Sequence, residues 1–68
     1  MKSVKFKCTK EEDQAFVTLM KLGQVFPKVE GMYKGEEVRI EISDMDEDEW
    51  DYIEGQLIML QIKFEVLG

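Results

Sequence analysis

At two places in this chain a side-chain period of two gives way to a period of three and four, and that switch narrows the possible folds more than any other feature. Val4, Phe6 and Cys8 alternate with Lys5 and Lys7, the pattern of a strand with one buried face. Thr9-Lys10-Glu11-Glu12 reads as a capping box, in which a threonine and the glutamate three residues on satisfy each other's free backbone N–H groups. Ala15, Phe16, Leu19, Met20 and Leu22 come next, within about 160° of a helical wheel turned at about 100° per residue. Val17 falls on the other side of that helix. Gly23 suits its end, and a second strand is expected from Val25 to Tyr33.

The order then repeats. Val38, Ile40 and Ile42 alternate with Arg39 and Glu41, and Ser43 or Asp44 is the expected N-cap of a second helix. Trp50, Ile53, Leu57 and Leu60 recur at spacings of three and four. Gly55, and the shared parity of Ile58 and Leu60 with Ile62, would also admit a strand from Leu57, but the spacing from Trp50 onward favours the longer helix. Ile62, Phe64 and Val66 alternate with Lys63 and Glu65 as a last strand. The joins LMKLGQV and LIMLQI are alike. Two such βαβ halves in 68 residues imply an α+β domain: a ferredoxin-like βαββαβ sandwich, two helices on one face of a four-stranded antiparallel sheet. Pro27, with no N–H to donate, puts the second strand at an edge. Gly35 in YKGE marks a hairpin turn. Trp50 is expected against the sheet near Ile53, Phe16 and Leu19.

Charge is unevenly placed on this single domain of residues 1–68. Between residues 41 and 54 stand eight carboxylates and no cation; the rest holds nine cations and seven carboxylates, so a −8 segment sits on a +2 body and the net charge is −6. Acids at a helix start are favoured by its dipole, by about 0.3–1 kcal/mol each, but eight exceed that need. Asp44, Asp46 and Asp48 match the first acids of a calcium loop. The sixth position, which needs glycine, is Glu49, and the twelfth, which needs a bidentate glutamate, is Gly55. No calcium site and no cofactor are expected.

Catalytic chemistry has little to work with. Histidine and asparagine are absent, Arg39 is the lone arginine, and no glycine-rich phosphate loop or CxxC motif occurs. The chain reads as not an enzyme. Direct nucleic-acid binding is also disfavoured. The outward strand positions Lys5, Lys7, Arg39, Glu41, Lys63 and Glu65 are of mixed sign and offer no aromatic for stacking, and an acidic field repels phosphate. The converse fits better: closely spaced carboxylates on a helix can imitate DNA phosphates and occupy a basic groove. Asp44, Asp46, Glu47, Asp48, Glu49 and Asp51 would then meet a basic surface on a partner protein, with Tyr52 as an apolar anchor. Tyr52, Gly55 and Met59 lie off the Trp50–Leu57 stripe, with Met45 and Gln56 near them, and suggest a self-association surface and a homodimer. Cys8 belongs to the core and cannot form an internal disulfide. MKSVKFKC lacks the apolar run of a signal peptide and no stretch could span a bilayer. A cytoplasmic location with a reduced thiol is expected.

In its size, local acidity and lack of catalytic residues, the chain resembles the small inhibitors of phages and mobile elements, DNA mimics and anti-CRISPR proteins among them. The resemblance is one of class. It implies an anti-defence role in a host cytoplasm and assigns nothing to particular residues. Two other readings stand beside it. One is an oligomeric small-ligand or nucleotide-binding module in which Lys5, Lys7 and Arg39 meet phosphate on the sheet face. The other is a structural accessory subunit.

Overall fold

The computed structural model describes residues 1–68 and has the order β1 (Lys2–Thr9), α1 (Lys10–Leu22), β2 (Lys28–Lys34), β3 (Glu37–Met45), α2 (Glu47–Met59) and β4 (Phe64–Val66). It is an α+β structure: a four-stranded antiparallel sheet, ordered β2-β3-β1-β4, with two helices. No helix is long and apolar enough to cross a membrane.

Alternation decides the buried side of the sheet. Val4, Phe6 and Cys8 of β1 pair with Ile42, Ile40 and Val38 of β3, and all six are buried. Phe16 and Met20 of α1 and Trp50, Ile53 and Leu57 of α2 complete one core, together with Met45 and Ile62. Phe6 meets Phe16 edge to face, with ring centres 5.4 Å apart, and Trp50 meets Phe64 likewise at 5.9 Å. Such pairs add about 0.5–1.5 kcal/mol beyond their burial. Burial pushes the Cys8 thiol up to about 11, with Asp13 and Glu12 adding to the shift.

Both helices start and stop by the same device. Thr9 caps α1 with Glu12 returning the bond, and Asp46 caps α2 with Glu49 doing the same. At the far end Gln24 and Gln61 stand in the left-handed region, φ 54° and 58°. The N–H groups of Val25 and Ile62 then reach back to the carbonyls of Met20 and Leu57, closing a Schellman motif at each stop. Ile62 is buried as part of that stop, so the last strand begins at Phe64 and not at Ile62. In the same way β2 begins at Lys28, after the α1 stop and Pro27, and not at Val25.

The expected cap at Ser43 or Asp44 is corrected by a bulge. Val4 pairs with Ile42 but Lys2 pairs with Met45, so β3 holds one residue more than β1 across this step. Asp44 takes it up with φ 58°, a conformation that aspartate tolerates better than most residues. The alternation restarts one place late. Met45, expected beside Tyr52 on the outer side of the second helix, is fully buried, and the cap moves to Asp46.

Two α1 expectations also change. Leu22 is exposed at the end of the helix, and Val17 packs half-buried against the core.

Candidate functional site

The acidic segment divides into committed and free carboxylates. Asp46 accepts from the Glu49 N–H at 2.8 Å and Glu49 accepts from the Asp46 N–H at 3.2 Å. These two hold the helix start. Glu41 lies on β3 in the open sheet face, opposite Lys5, and Glu54 is half-buried on α2. Asp44, Glu47, Asp48 and Asp51 are exposed. None of them has a cation within ion-pair range: the ion pairs are Lys5–Glu65 at 3.5 Å, Lys7–Glu37 at 3.8 Å and Arg39–Glu37 at 3.0 Å, all among residues of the strands. Carboxylates one turn apart on a helix repel one another, and here only the helix dipole, and no paired cation, offsets that repulsion. No group of acidic side chains converges closely enough to hold a metal ion.

Tyr52 sits elsewhere than expected. It is half-buried against the core, and its hydroxyl donates to the Leu19 carbonyl of α1. Its ring lies over Gly23, where any Cβ would overlap it. Gly23 has ordinary right-handed helical angles, so the missing side chain serves this close approach and not a special backbone conformation. Tyr52 therefore pins α2 to the end of α1 and leaves only part of its ring at the surface. Gly55 and Met59 remain exposed, with nothing within 4 Å of a Cβ built at Gly55. Gln56 points its Oε1 into an enclosed position without a partner.

The open sheet face carries a shallow hollow of about 890 Å³ bordered by Lys5, Lys7, Arg39, Glu41, Lys63 and Glu65. Its cations are largely met by the chain's own carboxylates. Arg39 beside Glu37 holds that carboxyl below the usual range, with Lys7 and Lys34 contributing.

Sequence reasoning placed β2 at an edge but did not show how bare it is. Every one of its seven residues is exposed, on both faces. Leu22 and Phe26, apolar residues flanking the helix stop before it, are likewise 75% and 77% exposed. No protein-family model matches the chain, and no curated protein matches it.

Proposed function

We propose that this chain is a small non-catalytic binding protein, built as a ferredoxin-like sandwich, that engages a basic protein surface through the first turns of α2. The strand order β2-β3-β1-β4 with two βαβ halves supports the scaffold reading. The observation that carries the function is the set of exposed, unpaired carboxylates Asp44, Glu47, Asp48 and Asp51 on a helix start fixed by its own capping box. A preset field of one sign steers association and selects a partner of the other sign. A protein that normally holds nucleic acid is the target class that best fits, and inhibition by imitation of phosphate is the mode.

The test neutralises Asp44, Glu47, Asp48 and Asp51 to Asn or Gln and leaves Asp46 and Glu49 to cap the helix. The immobilised native chain is expected to retain basic proteins from a cell extract at about 50 mM salt and release them at about 500 mM, where screening is far stronger, and duplex DNA should compete for them. The neutralised variant should lose them at every salt concentration. Equal retention by the two chains overturns the proposal.

A second reading, an oligomeric small-ligand or nucleotide module, has the hollow on the open sheet face in its favour. It ranks lower because Lys5, Lys7 and Arg39 already face Glu65 and Glu37.

A further inference from the structure

The two edges of the sheet differ in kind. β4 is three residues long, whereas β2 is a seven-residue edge strand, exposed throughout and free of bulge or proline within its length. A long, flat, unpaired edge is a template for another strand.

The backbone groups available on it can be placed. Lys34 pairs with Glu37 across a two-residue turn in which Gly35 has φ 63°, the glycine position of a type II′ turn. Residues flanking such a turn exchange both hydrogen bonds, and the pattern alternates along the strand. Lys34, Met32, Glu30 and Lys28 therefore bond to β3, while Tyr33, Gly31 and Val29 turn N–H and C=O to solvent. Those three odd positions pair with Val38, Ile40 and Ile42, so their side chains share the face on which the helices lie. Neither helix covers Val29, and Tyr33 reaches α1 only at its tip, where its hydroxyl donates to Asp13 at 3.1 Å.

We propose that β2 pairs antiparallel with β2 of a second copy about a two-fold axis at Met32, joining two four-stranded sheets into one of eight strands. The charge pattern selects this register. A two-fold at Gly31 would set Lys28 against Lys34 of the second copy, and one at Glu30 would set Glu30 against itself. A two-fold at Met32 sets Glu30 against Lys34 of the second copy and brings Lys28 beside Glu36 at the tip of the other hairpin, each contact made twice by symmetry. It also sets Tyr33 opposite Gly31 of the second copy, where the absent side chain leaves room for the tyrosine while its hydroxyl stays on Asp13. The lysines that would guard an isolated edge become half of a complementary set. Even-numbered residues face each other without hydrogen bonds here, so Met32 meets its own copy at about 4.5 Å between Cα atoms, within the range of a disulfide.

The proposal is independent of the acidic face and is tested by mass and by cross-linking of the full chain. Sedimentation of the native chain at several hundred micromolar should approach twice its 8.0 kDa. Glu30→Lys alone and Lys34→Glu alone should each weaken the dimer at least tenfold. The two together should restore it to within about threefold. Gly55→Arg should change nothing. Met32→Cys should form a disulfide-linked dimer on mild oxidation and Glu30→Cys should not; Cys8 is buried and takes no part. A mass that stays at 8.0 kDa would leave the edge to an extended segment of another protein and sink the proposal. So would dissociation by Gly55→Arg, a double variant that fails to recover while its circular dichroism stays native, or cross-linking at Glu30 in preference to Met32.

Discussion

Helices α1 and α2 are both thirteen residues long, both open on a capping box, and both stop on a glutamine in the left-handed region. Their continuations differ. After α2 the chain runs into a three-residue strand beside β1, and Phe64 packs on Trp50. After α1 it runs into a seven-residue strand on which no side chain is buried. The same local signals thus produce the same elements, while coverage depends on where the helix pair is held. α1 packs over β1 and β3 and α2 over β3, and Tyr52 locks the two helices together. β2 is left beyond their reach.

The equivalence of the halves can be broken at their centres. Phe16→Ala and Trp50→Ala should each cost about 3–5 kcal/mol, close to the whole stability of so small a domain. Chemical denaturation followed by circular dichroism would read this, and a loss in either far below that range would show that half to be loosely packed. The pin between the helices comes next. Gly23→Ala should cost about 1–3 kcal/mol through overlap with the Tyr52 ring. In a Tyr52→Ala background the same change should be neutral or slightly stabilising, since the backbone there is ordinary and alanine is less flexible when unfolded. A cycle with no coupling would mean that the ring does not lie over Gly23.

A smaller effect sharpens the likeness. Gln24→Gly and Gln61→Gly should each raise stability by about 1 kcal/mol, because glycine enters the left-handed region without the penalty of a Cβ. Unequal gains would show that one stop is held by more than its hydrogen bonds. Alkaline pH adds a last comparison, between core and edge. Cys8, pushed up to about 11 by burial, and Tyr33, raised by its bond to Asp13, both favour the protonated form when folded. Their contribution is complete below their unfolded values and is lost as pH rises through the folded ones. Thermal melts from about pH 8 to about pH 11 should therefore fall in the native chain, fall less in Cys8→Ala, and fall nearly as much as in the native chain in Tyr33→Phe, whose bond is solvent-exposed.

Much of this architecture was legible in the sequence. Period marked β1, β3 and both helices, including the extension of α2 through Met59, the Thr9 box marked the start of α1, and Pro27 and Gly35 marked the edge strand and its hairpin. The misreadings have physical causes. Counting by twos from Ile42 assigns Asp44 to the core and Met45 to solvent, and a bulge is invisible to such a count. Tyr52 falls outside the Trp50–Leu57 stripe, but a helix beside another helix buries a second flank against its neighbour, and a wheel drawn for one buried face assigns that flank to solvent. Leu22 and Val29 have core character yet no cover, because apolar identity says nothing of whether another element arrives above it. At the candidate site, the exposed acids were legible as a charge run. Which of them are spent on the cap was not, since that turned on the same bulge.

The extra residue at Asp44 also governs where the chain can change in length. Parity is all that a strand remembers, so one residue gained or lost elsewhere in β3 would exchange its two faces from that point on. Removing Asp44 is the exception: Met45 would come directly after Ser43 and reach the core by plain alternation, still opposite Lys2. What would alter is the bend of β3, and with it the direction in which the acidic turn projects from the sheet. Relatives of this chain should therefore place their gaps at position 44 and at the hairpin tip, and those lacking residue 44 should keep every buried side chain while aiming the second helix differently.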